Sequence, residues 1–202
     1  MQIAFTFDDG PNNVITPQVM DLFKEYAGRA SFFLIGEHIT EESIPVMHRM
    51  VEEGHEVANH SFSHPAFSSL TPEQVAEEYS KTTRLIEEIT GNEVKYFRPP
   101  YIDCPDRLFD MIPYVFIEGK GCDDWDENKS VDYRVSKIMD FVEDGTIVLL
   151  HDSDYNDKTV ETLKIVLPAL KEKGYEFVTL TELFENRHMH PKPFEGVLYS
   201  QV

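Results

Sequence analysis

Along the whole chain, short apolar runs alternate with stretches whose apolar positions recur every three to four residues. The runs at 3–7, 30–35, 55–59, 94–97, 114–117, 146–150 and 175–179 are bounded by turn formers, which predicts seven strands. Between them the helical repeat is explicit. Val75, Tyr79, Thr82, Ile86 and Ile89 share one face, as do Val131, Val135, Ile138 and Val142. Thr71-Pro72-Glu73-Gln74 offers an N-cap, a proline at the first helical position and a Gln at the capping-box position; Thr16-Pro17 reads as a second helix start. Gly28, Gly54, Gly91, Gly145 and Gly174 each follow a helical pattern and are expected as left-handed C-caps. Such alternation predicts an α/β fold of about seven βα units around a parallel sheet. Residues 1–187 form one predicted domain. The stretch 188–202, with Pro191 and Pro193 and then Gly196-Val197-Leu198-Tyr199, reads as a surface tail or a closing strand, and its His188 and His190 as solvated.

Composition narrows the function classes. The 202 residues include 18 Lys+Arg and 37 Asp+Glu, a formal charge of −19. Nucleic acids and anionic lipid surfaces require the opposite sign, so neither is an expected partner. At 41% hydrophobic and 12% aromatic residues the chain can bury a core, and its length suits one α/β barrel. No apolar run approaches the roughly 20 residues of a membrane span. The chain as it stands reads as cytoplasmic, or as secreted or cell-surface protein if a leader has been removed. Cys104 and Cys122 lack metal-finger spacing and are expected as free thiols.

The candidate chemistry collects just beyond the C-terminal ends of five predicted strands, where such barrels place it. The clusters are Asp8-Asp9-Gly10-Pro11, His60-Ser61-Phe62-Ser63-His64-Pro65, Arg98-Pro99-Pro100-Tyr101, Asp123-Asp124-Trp125 and His151-Asp152-Ser153. Alone, each has a structural explanation as a turn, an ion pair or a core residue. Together on one rim they fit metal-assisted hydrolysis. His60 and His64, four apart and therefore on one side of a helical turn, supply two imidazoles, and one aspartate of the Asp8-Asp9 pair completes a three-ligand set for Zn²⁺ or a similar divalent ion. The other aspartate is then free as general base, and spacing leaves open which is which. His151 beside Asp124 suits a general acid. A sugar-binding barrel protein is the non-enzymatic alternative; it has no use for a spare carboxylate and a separate proton donor.

These five clusters, in this order, resemble the motifs of the polysaccharide deacetylases, carbohydrate esterase family four, across residues 6 to 152. The resemblance implies a distorted, incomplete (β/α) barrel and removal of acetyl groups from acetylated carbohydrates. It points to N-acetylglucosamine-containing glycans or oligosaccharides such as chitin or peptidoglycan fragments, with O-acetyl xylan or a small amide as alternatives. It also implies roles: Asp8 as the base activating metal-bound water; Asp9, His60 and His64 as ligands of Zn²⁺, with Co²⁺ or Ni²⁺ as alternatives; Arg98 pairing with Asp8. The Tyr101 main-chain N–H would serve the oxyanion, Trp125 would wall the acetyl pocket, and Asp124 would hold the proton donor His151. The chain departs from the pattern at Ile102, where glycine is usual, and at Gly121, where a further aspartate is common.

Overall fold

The computed structural model describes all 202 residues. Nine strands and seven helices alternate: β1 (Gln2–Gly10), α1 (Ile15–Glu25), β2 (Ser31–Leu34), α2 (Ile44–Glu52), β3 (Glu56–Asn59), α3 (Pro72–Thr90), β4 (Tyr96–Phe97) and α4 (Leu108–Met111). They are followed by β5 (Val115–Ile117), β6 (Lys120–Gly121), α5 (Val131–Phe141), β7 (Ile147–His151), α6 (Asp157–Glu172), β8 (Glu176–Phe177), α7 (Leu180–Asn186) and β9 (Leu198–Tyr199). All strand pairs are parallel in the order β6-β7-β1-β2-β3-β4-β5-β9, with β8 beside the start of β1. The sheet curls into a distorted, incomplete barrel. Below its lower end Gln201 bridges to Thr146, and Val202 donates its N–H to Gly145, so the last residues span from β5 to β7.

Period-two alternation sorts the sheet's two faces. Ile3, Phe5 and Phe7 of β1, Phe32 and Leu34 of β2, and Val148 and Leu150 of β7 point outward into a 26-residue core shared with the helices. Ala4, Phe33, Ala58, Ile117 and Ile147 point into the lumen, where α7 plugs the lower end with Leu180, Leu183 and Phe184. Thr6 and Asp8 continue the inward row upward, so the lumen turns polar toward the rim; the plug below is mainly apolar, with Ser31 and Thr181 bonded to Glu56 at its edge.

Each of the seven predicted strands is present, with shifted ends. β1 runs three residues past its predicted end, so Asp8 and Asp9 belong to the strand rather than to a turn after it. β4 keeps its predicted end at Phe97 but begins only at Tyr96, two residues later than predicted, and Pro99 and Pro100, which bring no N–H to a ladder, follow it. The helix starts split. Thr71 forms the predicted capping box with Gln74. Thr16 does not cap α1: Asn12 Oδ1 accepts from the N–H groups of Val14, Ile15 and Thr16, while the Thr16 hydroxyl donates to Asp152. Gly54, Gly91, Gly145 and Gly174 have positive φ. Gly28 does not; Ala27 takes the left-handed turn (φ 49°), and Gly28 is required because a Cβ there would lie 2.8 Å from Phe177 Cβ. Cys104 and Cys122 are free, and burial pushes the Cys104 thiol up to about 11. His188 and His190 are exposed, and no helix is long and apolar enough to cross a membrane.

His55 gives the fold a pH dependence. Its Nδ1 accepts the Ala30 N–H at 3.1 Å, its ring packs edge-on to Phe23 and Phe32, and burial pushes its pKa down to about 4. Between pH 6.5 and 4 the unfolded chain binds a proton that the folded chain refuses, so stability falls as pH falls through this window, by about 3 kcal/mol in total. In His55→Asn, whose Oδ1 can take the Ala30 N–H, the unfolding free energy measured by urea titration is expected to fall less steeply over that window.

Candidate active site

The rim residues owe their places to irregular backbone. Register slips between Asp8 and Gly10 of β1, a bulge that re-aims Asp9 at φ 75°. Six of the nine non-glycine residues with positive φ are Asp9, Ser61, His64, Tyr101, Ile102 and Asp123, all on the rim loops. Each such residue costs about 1–3 kcal/mol, so the concentration marks where the fold holds strained geometry. Ile102 stands where the family pattern has glycine and adopts the glycine-like φ of 54° nonetheless.

Asp8 is buried against Arg98, whose Nη1 donates to Asp8 Oδ1 at 2.5 Å. The guanidinium fills the upper lumen: Nη2 donates to Thr6 Oγ1 (2.8 Å), Nε to the Ile117 carbonyl (3.3 Å), and its plane lies 4.1 Å from the Phe33 ring centre. Gly119 leaves room for it, since a Cβ there would sit 3.2 Å from Nη2. Burial pushes the Asp8 carboxyl up, but Arg98, with His60 and His151, more than offsets this, and its pKa falls below the usual carboxylate range.

Asp9, His60 and His64 converge. Their ligand atoms lie within 4.8 Å of one another, with Asp9 Oδ1 3.7 Å from His60 Nε2 and 3.5 Å from His64 Nε2. Asp9 Oδ1 is buried without a hydrogen-bond partner, which leaves it available to a cation between it and the two imidazoles. Asp9 Oδ2 accepts from Ser153 Oγ (3.1 Å), and its carbonyl accepts from His38 Nδ1 (2.7 Å). His60 Nδ1 donates to the Arg98 carbonyl at 2.7 Å, leaving Nε2 as a lone-pair donor. Two neutral imidazoles and one carboxylate fit Zn²⁺, Co²⁺ or Ni²⁺. The two histidines do not share a helical turn as their spacing predicted. Residues 60–64 form a loop, wound by Ser61 and His64 in the left-handed region and held by Asn59 and Glu78, which accept from Ser61 N and from Phe62 N and Ser63 N.

His151 ends β7 in register with Asp8 on the adjacent β1, so both side chains face the same way. Its Nδ1 donates to Asp124 Oδ1 (2.8 Å), and its N–H to Asp124 Oδ2 (2.8 Å). Burial lowers the His151 pKa, but Asp124 outweighs burial, with Asp8 and Asp9 adding, and the ring rises to about 9.

These groups line one cleft of about 1390 Å³, larger than the roughly 300–1,000 Å³ typical of a small-molecule site. Tyr101, Trp125 and Tyr155, 71%, 62% and 64% exposed, stand on its rim as flat faces a sugar ring can stack on. No Lys or Arg lines it, whereas Glu37, Glu118, Asp123 and Asp154 add carboxylates to Asp8, Asp9 and Asp124. Glu78, His38 and Tyr155 were not anticipated from the sequence; nothing local sets them apart from surface residues.

A family model for polysaccharide deacetylases matches residues 1–112. A bifunctional xylanase/deacetylase of Pseudobutyrivibrio xylanivorans is 38% identical over 99% of this chain, which spans 33% of that protein. A peptidoglycan-N-acetylglucosamine deacetylase of Bacillus cereus is 34% identical over 92% of this chain and 89% of its own length. A family 4 acetyl xylan esterase from Clostridium thermocellum, solved with a cobalt ion, superimposes with a TM-score of 0.95 at 36% identity, covering 100% of this chain and 99% of that one. With the barrel, the five rim clusters and these matches in agreement, the chain belongs to the polysaccharide deacetylase family, carbohydrate esterase family four.

Proposed function

We propose that the protein is a metal-dependent hydrolase that removes acetyl groups from N-acetylglucosamine-containing glycans or oligosaccharides. One observation carries the reading: Asp8 and His151 are in-register neighbours beside the Asp9, His60 and His64 cluster, and separate buried partners drive their pKa values apart. Paired titratable groups pushed in opposite directions assign base and acid. Asp9, His60 and His64 would hold a divalent ion, which would supply Lewis acidity toward water and the acetyl carbonyl.

The chain's own groups do the rest. Asp8, ionised at neutral pH and anchored through Oδ1, accepts the proton of the attacking water through Oδ2. His151, with Nδ1 committed to Asp124, gives its Nε2 proton to the departing nitrogen. The Tyr101 N–H assists the oxyanion, and Trp125 and Leu149 wall the acetyl methyl. A cleft with no Lys or Arg in its lining and several carboxylates suits neutral glycans and the amines that deacetylation leaves. A second reading, O-acetyl xylan as substrate, is favoured by the similarity to the xylanase/deacetylase and to the acetyl xylan esterase.

Acetate release from chitooligosaccharides, peptidoglycan fragments and acetyl xylan, with Zn²⁺, Co²⁺ or Ni²⁺ added to stripped protein, separates the readings. Full activity in stripped protein would sink both. Asp8→Asn is expected to lower kcat about 10²–10⁴-fold while the protein still binds metal, read by colorimetric chelator competition. The proton donor works only below the His151 pKa, so activity falls as pH rises through it. In Asp124→Asn the alkaline limb of kcat/KM is therefore expected to move to lower pH.

A further inference from the structure

Arg134, on α5, is the other fully buried guanidinium in the molecule, 1% exposed. Arg98 meets a carboxylate; Arg134 does not. Its Nη1 donates to Asn156 Oδ1 (2.7 Å) and Thr159 Oγ1 (3.1 Å), its Nη2 to the Asp126 carbonyl (3.3 Å), and its Nε to nothing. A buried cation surrounded by neutral acceptors is costly, and the apolar packing of α5 is already supplied by Val135, Ile138 and Met139.

Its two side-chain acceptors share one further partner. Asn156 Nδ2 and Thr159 Oγ1 both donate to Asp124 Oδ2, at 3.3 and 2.8 Å. Asn156 Nδ2 also donates to the His151 carbonyl at 3.0 Å. The guanidinium has donors only. Against it Asn156 must turn its oxygen to Arg134 and its NH₂ to Asp124, and the Thr159 hydroxyl must spend its lone pair on Arg134 and its proton on Asp124. Without that donor the Asn156 oxygen and the Thr159 lone pair are left buried without a partner, and both side chains lose the contact that holds them against the carboxylate.

We propose that Arg134 is a positioning residue for the proton donor. It fixes the direction of the Asn156 and Thr159 hydrogen bonds, so that Asp124 stays anchored and holds the His151 ring with Nε2 in the cleft. The inference rests on the assignment of His151 as the acid that protonates the leaving group. It requires that Arg134 matter only where that proton is needed.

Arg134→Met, matched in length and without donors, is the first test, and the near-isosteric Thr159→Val is the second should the first fold poorly by circular dichroism. With an N-acetylated chitooligosaccharide, both are expected to lose about 10–100-fold in kcat at little changed KM. With 4-nitrophenyl acetate, whose phenolate leaves without a proton, they are expected to stay within about twofold of the parent. Arg134→Lys, which restores a donor, should recover part of the loss. Equal losses on both substrates, or no loss on either, overturn the proposal. The downfield proton resonance of His151 Nδ1–H needs no substrate and so separates this inference from the functional reading. Its loss or broadening in Arg134→Met and Thr159→Val supports the positioning role even if the parent releases no acetate from glycans, and its persistence unchanged in both overturns it.

Discussion

The Arg98 guanidinium and the Asp8 carboxylate form an ion pair sealed inside the lumen, and much of the molecule answers to it. Removing two charges from water is expensive, and their attraction offsets that cost only when the remaining donors are satisfied. Each is satisfied by something placed for it: Thr6 on the inward row of β1, the Ile117 carbonyl at the end of β5, the Phe33 face, and the space left by Gly119. The same residue reaches the metal cluster through its backbone, because the Arg98 carbonyl takes the Nδ1 proton of His60. One residue therefore orients the proposed base with its side chain and a proposed metal ligand with its main chain.

Asp8 and His151, the proposed base and acid, sit side by side on adjacent strands but draw on separate supports. Asp8 is tied to the lumen and to β4 and β5; His151 is tied through Asp124 to α5 and α6. Their opposite pKa displacements follow from this division, one group meeting a buried cation and the other a buried anion. The strained loops between them complete the arrangement. Asp9, Ser61, His64 and Tyr101 adopt backbone conformations that a relaxed loop would avoid; Ser153 donates to Asp9, and Asn59 and Glu78 accept from the N–H groups of Ser61, Phe62 and Ser63.

What was legible in the sequence was what local chemistry dictates. The seven predicted strands and the Thr71 capping box follow from apolar runs and from groups three residues apart, and the rim clusters were visible because Asp, His and Arg are unusual directly after buried strands. What was missed depends on contacts across the fold. Asn12 replaces Thr16 as the cap because the Thr16 hydroxyl is drawn to Asp152, 136 residues away. Gly28 is needed for the approach of Phe177, not for its own φ, and no window around it contains that fact. His60 and His64 meet through a loop wound by Glu78, which reads in the sequence as one more glutamate on a solvated helix face. A strand of two residues such as β6 has no periodicity to detect, and β9 was legible only as one of two readings of the terminal stretch, the closing strand.

β9 does more than add a last strand to the sheet. A parallel sheet that stopped at β5 would present Phe116 and Ile117 on an open edge, with unpaired N–H and C=O groups ready to accept a strand from another molecule. Leu198 and Tyr199 occupy that edge, and the Tyr199 carbonyl takes the Glu118 and Gly119 N–H groups just beyond it. At the other end of the path β6 is only two residues long and carries Lys120, a length and a charge that discourage pairing. The sheet thus ends on two strands of two residues each, which leaves only a short edge at either end of its path.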